Sequence, residues 1–421
     1  MTNAYRLSCP QLQLSGTVIL EPSKSISNRA LIIRSLCKEP FTIHSLSTSD
    51  DTRVLVSMLS SEKDELYSGY AGSSFRFMVA RACLGDKEVT IDASAQLRRR
   101  PVGPLVKALQ LLGADITYLN KEGFPPLKIK PSKSFGTEVS EVTLQTGVSS
   151  QYLTALLLIA PYLPKGLTIH LAGDLVSGSY IRMTLAMMEY FGVSHQWVNN
   201  TITVAPGIYQ ARDYVVEGDW SAASYFYAMA ALAPKAELHI DGLKEDSMQG
   251  DAVLKTIFAD LGVETVFTDT GITIKKVGLK ERLKEYKYDF TLCPDIAQTL
   301  MVTVAGLGIK GIFSGLRTLR IKETDRIAAM QTELARVKVT VIANEVQSDI
   351  TCLVAGRAWW KDNAKAKFNT YEDHRMAMAL TPFACLNPIS IKDPEVVSKS
   401  YPGFWKDVEA IGIKRESIKM K

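Results

Sequence analysis

Small polar residues joined to cations at the start of an apolar run make a place where anions can be held, and this 421-residue chain has several. Lys24-Ser25 with Arg29, Gly72-Ser73 with Arg76, Ser149-Ser150-Gln151, Asp219 with Ser221, Asp295, and His374-Arg375 all stand at or just before such runs. A helix start presents unsatisfied N–H groups and partial positive charge. Lysine and arginine add the full charge that phosphate and carboxylate groups call for. Taken singly, Ser, Thr and Asp here are ordinary helix caps. Caps need no cation beside them, so the recurrence points to anion binding. Charge also gathers in Lys322-Glu-Thr-Asp-Arg326, in Arg98-Arg-Arg-Pro101 and at Lys399. On spacing alone these read equally well as a solvated helix start, an exposed basic turn and an isolated lysine.

The elements that must carry these residues recur along the chain. Apolar helices are expected to begin near Ser25, Ser73, Ser149, Ser221, Asp295 and His374. They are apolar on every side, which predicts helices buried all round. Each is followed by a short alternating stretch, such as Leu167-Thr-Ile-His170 or Ile389-Ser-Ile-Lys392, that predicts a strand. Second, amphipathic helices are expected at 102–112, 181–191, 252–261 and 326–337, several stopped by glycine (Gly113, Gly192, Gly262). Hairpin patterns at 195–204 and 265–274 complete the middle copies. The repeat reads as a βαβαββ unit of about 70 residues, present six times, the first copy shorter. The expected fold class is α/β, in two lobes of three repeats each.

Composition narrows the function classes. Lys and Arg number 49 against 44 acids, a net charge of +5, and 46% of residues are hydrophobic. That balance excludes disorder and does not call for nucleic acid. Apolar stretches such as 152–163 fall short of the roughly twenty residues a membrane span needs. Six cysteines without a CxxC pair argue against a zinc site or disulfide framework, and reduced thiols fit a cytoplasmic protein without a targeting peptide.

Together the charged segments resemble one family, the 3-phosphoshikimate 1-carboxyvinyltransferases, or EPSP synthases. The resemblance rests on Ser23-Lys-Ser-Ile-Ser-Asn-Arg-Ala30, Ala71-Gly-Ser-Ser-Phe-Arg76, Arg100-Pro-Val-Gly-Pro-Leu105, Ser149-Ser-Gln-Tyr-Leu-Thr154, the segment from Glu217 to Phe226, Pro294-Asp295, the segment from Arg320 to Arg326, Asp373-His-Arg375, and Asp393-Pro through Lys399. It implies an inside-out α/β barrel in each lobe, with residues 1–21 and 218–421 in the first lobe, 22–217 in the second, and the active site in the cleft between them. It implies transfer of the enolpyruvyl group of phosphoenolpyruvate to the 5-hydroxyl of shikimate 3-phosphate by addition and elimination, without cofactor or metal, by a cytoplasmic monomer.

Carried over by position, the resemblance assigns Lys24, Ser25, Arg29, Ser149, Ser150, Gln151, Ser177, Tyr180, Asp295 and Lys322 to shikimate 3-phosphate. It assigns Lys24, Gly72, Arg100, Gln151, Arg326, Arg375 and Lys399 to phosphoenolpyruvate, with Ser73, Arg76 and His374 as further site candidates. Asp295 is expected to be the base at the hydroxyl and Glu323 the acid at carbon, with Lys24 offsetting phosphate charge. Glu323 needs burial or a neighbouring acid to hold a proton among so many cations. Tyr70, Ser73, Phe77 and Thr318 depart from the family pattern. The first and third of these are expected beside the phosphoenolpyruvate pocket, and Thr318 replaces an Asn that would touch shikimate 3-phosphate.

Two other readings are weaker. UDP-N-acetylglucosamine enolpyruvyl transferases use a Lys-Asn pair and a loop cysteine, whereas here Lys24 precedes Ser25 and no cysteine lies between Gly85 and Arg100. An RNA 3'-phosphate cyclase-like RNA-binding protein would need a nucleotide-binding histidine and stacking aromatics along a basic groove.

Overall fold

The computed structural model describes residues 2–145, 149–173, 178–279, 283–346, 349–360 and 366–420. The chain divides into two compact units, Met1–Pro22 with Glu217–Lys421, and Ser23–Val216.

Among the described residues six helices form the interior, and they are labelled here in chain order. In the Ser23–Val216 unit these are α1 (Lys24–Leu36), α2 (Gly72–Ala82) and α3 (Ser150–Ile159). In the other unit they are α4 (Trp220–Leu232), α5 (Ala297–Leu307) and α6 (His374–Leu380). Their apolar circumference has the predicted result: every residue of α4 is buried, as are Ala297 to Gly306 of α5 and Tyr152 to Ile159 of α3. Each fully buried Leu or Phe contributes about 2 kcal/mol by leaving water, so these helices are held by packing rather than by intrinsic propensity.

Around the helices lie small sheets with one recurring order. Glu65–Tyr67 pairs in parallel with Val89–Asp92, which pairs antiparallel with Leu127–Lys130, itself the partner of Asp115–Tyr118. Glu141–Gln145, Leu167–Ala172, Thr201–Val204 and His195–Val198 repeat it. In the other unit it recurs from Glu285–Asp289 through Lys310–Ser314 and Asp349–Ala355 to Thr340–Val346. Alternation sets the faces. In Lys235–Asp241, Ala236, Leu238 and Ile240 are buried while Lys235 and Glu237 face solvent. Gly113, Gly192 and Gly262 follow second helices at φ of 94°, 85° and 82°. At Gly262 an added Cβ would also lie 2.6 Å from the carbonyl carbon of Gly278.

Three repeats are not continuous in sequence. Gln13–Ile19 is the first strand of the sheet that continues with Lys235–Asp241, Gly271–Lys276 and Val263–Phe267. Thr2–Ser8 sits between Ile389–Lys392 and Lys414–Met420, completing the last sheet. The short first copy has only Ile43–His44, paired in parallel with Tyr214–Val215 from the far end of its unit. Each unit is thus closed by a strand borrowed from a remote part of the chain. Among the described residues the pair of Ile43–His44 and Tyr214–Val215 is the whole sheet, so the strand after the first buried helix is two residues long.

Candidate active site

In the Ser23–Val216 unit the candidate residues cluster at the starts of α1, α2 and α3. Ser149 caps α3, its Oγ accepting from the Gln151 N–H at 3.3 Å. Among the described residues no side chain caps α1 or α2, so the N–H groups beside Lys24 and Gly72 are left to other partners. Lys24 Nζ donates to Asp51 Oδ2 at 3.0 Å, and Asp51 is buried in the helix Asp50–Leu59. Arg76 donates to the Gly72 carbonyl at 2.9 Å and to Gln151 Oε1 at 3.0 Å, tying the openings of α2 and α3 together. Gly72 is needed for this approach: a Cβ there would lie 2.7 Å from Arg76 Nη1 and 2.9 Å from Arg100 Nη1. Ser73 Oγ accepts from Asn28 Nδ2 at 3.2 Å. Ser25 and Ser150 lie in the first turns of α1 and α3.

Arg29 is 4% exposed. It donates to Thr184 Oγ1 (2.8 Å), Thr154 Oγ1 (3.3 Å) and the carbonyls of Ser25 (2.7 Å) and Tyr180 (3.3 Å). Among the described residues no carboxylate pairs with it, and burial lowers its pKa to about 10. The Phe77 and Tyr180 rings lie 5.8 and 5.9 Å from its guanidinium carbon. Phe77, expected beside the phosphoenolpyruvate residues, therefore packs on a residue assigned to shikimate 3-phosphate. Tyr70 is exposed. Ser177 lies outside the described residues.

In the other unit a connected charge network surrounds Arg326, which is 1% exposed. Its Nε and Nη2 grip both oxygens of Asp373 (2.8 and 3.3 Å), Nη2 also reaches Glu323 (2.9 Å), and Nη1 reaches Asp295 (3.2 Å). Burial pulls this guanidinium down, but the three carboxylates outweigh burial and hold its pKa above the usual arginine range. Lys399 Nζ donates to Glu323 Oε1 at 2.9 Å. Lys322 Nζ lies 3.4 Å from Asp295 Oδ1, and Arg375 Nη2 lies 3.1 Å from Asp295 Oδ2. Burial lowers the Lys322 ammonium, with Asp295 opposing. His374 is buried at the start of α6, with Nδ1 3.8 Å from Asp373 Oδ1. Local sequence accounts for the placement. Asp325 caps the helix Arg326–Ala335 by accepting from Ile327 and Ala328, and Asp373 caps α6 by accepting from the Arg375 N–H.

Burial or a neighbouring acid is what Glu323 needs to hold a proton, and its side chain is 11% exposed. Each of its oxygens is also held by a cation, Arg326 or Lys399. Asp51 and Asp373 were not among the predicted site residues. Asp373 stood next to a singled-out pair, and its role as a buried partner of Arg326 could be sought from the Asp-His-Arg motif. Asp51, in Asp50-Asp51, carries no signal in sequence. Thr318 is 6% exposed, and among the described residues its Oγ1 has no hydrogen-bond partner.

Known proteins match this chain nearly end to end. The model of the family described as EPSP synthase (3-phosphoshikimate 1-carboxyvinyltransferase) matches residues 9–61 and 53–408. A 3-phosphoshikimate 1-carboxyvinyltransferase of Bacteroides fragilis is 44% identical over 411 residues, covering 97% of this chain and 98% of the relative. One from Vibrio campbellii is 33% identical over 432 residues, covering 96% and 98%. A solved EPSP synthase from Acinetobacter baumannii superposes with a TM-score of 0.78 at 19% identity, covering 99% of this chain and all of that one, which establishes likeness of fold.

Proposed function

The chain belongs to the EPSP synthase family, and we propose that its two clusters of anion-binding residues, one on each unit, bind shikimate 3-phosphate and phosphoenolpyruvate and transfer the enolpyruvyl group. Family membership over nearly the whole chain carries this reading. The chemistry of the residues supports it, because two phosphates and two carboxylates brought together repel one another unless cations are concentrated around them.

Arg29, with Ser149, Ser150, Gln151, Ser177, Tyr180, Lys322 and Asp295, takes shikimate 3-phosphate. Lys24, the Gly72 backbone, Arg100, Arg326, Arg375 and Lys399 take phosphoenolpyruvate. Asp295 takes the proton of the attacking hydroxyl. The oxygen pair then forms the C–O bond at carbon 2 of phosphoenolpyruvate, and the carbon 2–carbon 3 π pair takes a proton from Glu323. Elimination returns the carbon 3 proton to Glu323 as the carbon 2–carbon 3 double bond re-forms and the carbon 2–oxygen bond to phosphate breaks; the departing phosphate takes up the proton held by Asp295, with Lys24 offsetting its charge. The anionic groups of phosphoenolpyruvate draw Arg326 and Lys399 away from Glu323, and a carboxylate stripped of two cations becomes basic enough to carry a proton. The enzyme acts as a cytoplasmic monomer on these two small molecules.

The deciding experiment measures release of inorganic phosphate from phosphoenolpyruvate. Release should depend on shikimate 3-phosphate and be absent with UDP-N-acetylglucosamine. No release at millimolar substrates would overturn the reading.

A further inference from the structure

Asp295 is an awkward base, since Lys322, Arg326 and Arg375 lie within 3.1–3.4 Å of its oxygens and stabilise its charged form. Something nearby must restore its appetite for a proton. Asp251, in the 3-10 turn Gly250–Val253, is 4% exposed and used by no step above. Its Oδ2 accepts a hydrogen bond from Ser221 Oγ in the first turn of α4. Ser221 stands four residues before Tyr225, so both lie on one face of α4. The Tyr225 hydroxyl accepts from Arg375 Nη1 at 3.4 Å, and Arg375 Nη2 meets Asp295 at 3.1 Å. Arg375 Nη1 also reaches the backbone carbonyl of Asp295 at 3.3 Å. Asp251 is thereby tied to the Asp295 region through one helix face and one arginine.

We propose that Asp251 is a positioning residue for the base: fixed by Ser221, its carboxylate opposes the cations around Asp295 and keeps that carboxylate able to accept the hydroxyl proton. Burial, and then the field of Asp295, raise the Asp251 pKa to about 7, while Ser221 and Arg375 lower it and Asp219 raises it. Such repulsion is mutual, so an ionised Asp251 raises the proton affinity of Asp295. Cys293, beside the 3-10 turn that holds Asp295, and Tyr288 on Glu285–Asp289 feel both burial and Asp251. Proton transfer to Asp295 removes one of the two like charges, which favours the step.

The inference rests on Asp295 as base, and one set of variants separates the two claims. Asp251→Asn can still accept the Ser221 hydrogen bond. It should lower kcat about tenfold with little change in either KM, and abolish the acidic limb of the kcat/KM profile near pH 7. Asp251→Glu should restore part of that limb. The folded-state pKa lies above the ordinary aspartate value, so the ionised group is a stability cost that is present above pH 7 and relieved as pH falls through it. The Tm of Asp251→Asn at pH 8 should therefore equal or exceed that of the parent. A wild-type profile in Asp251→Asn, or a lost kcat with the limb in place and a lowered Tm, overturns the proposal. Full turnover in Asp295→Asn would instead overturn the assignment of the base.

Discussion

Gly72, Thr318 and Glu323 carry separable expectations. At Gly72 the clash of a Cβ is with the ends of two arginines, which can move. Gly72→Ala should therefore fold normally while displacing Arg100, and steady-state kinetics should show a raised KM for phosphoenolpyruvate with shikimate 3-phosphate little affected. Thr318 holds a buried hydroxyl without a partner among the described residues, and Asn there offers both a donor and an acceptor. Thr318→Asn should tighten shikimate 3-phosphate by about 1 kcal/mol, roughly fivefold, in a titration calorimeter. Glu323→Gln keeps the shape but cannot carry the proton. Its kcat should fall by at least about a hundredfold with KM values largely kept, and retention of turnover would move the acid role to another group.

Among the elements, α1 has the clearest conflict between stability and use. It buries Arg29 among hydroxyls and carbonyls, and a drop from the usual 12.5 to about 10 corresponds to a cost of about 3 kcal/mol. For a base with a lowered folded-state pKa that cost is present below pH 10 and disappears as pH rises toward the unfolded value. Arg29→Met fills the same space, and Thr154 and Thr184 already lie 3.3 Å apart and can bond each other. Its Tm should hold or rise while shikimate 3-phosphate binding is lost, as seen by thermal shift with and without that ligand. α5 is entered through the 3-10 turn Pro294–Ile296, which places Asp295 ahead of the regular helix.

On the scale of the whole molecule, the borrowed strands decide what can be separated. The unit Ser23–Val216 contains both members of its short pair, Ile43–His44 and Tyr214–Val215. As an isolated fragment it should give a cooperative thermal transition by circular dichroism. The other unit depends on Thr2–Ser8 between two partners and on Gln13–Ile19 at a sheet edge. Deleting residues 2–19 should remove that unit's transition and spare the fragment's. Among the described residues, no helix is long and apolar enough to cross a membrane.

The sequence alone determined the buried helices, the sixfold repeat, the glycine stops and the cations at Lys24, Arg29, Arg326 and Arg375, because these depend on local periodicity and on residue type. Tertiary structure decided which charges meet. Asp373 and Asp295 come to Arg326 from 47 and 31 residues away, and Asp51 comes to Lys24 from 27, separations that leave no local pattern. It also decided that Glu323 rests between two cations and that Phe77 packs on Arg29. A helix announces itself through neighbours three and four residues apart. A buried charge is stabilised by whatever the fold brings within a few ångströms, and that is fixed only when the strands have closed.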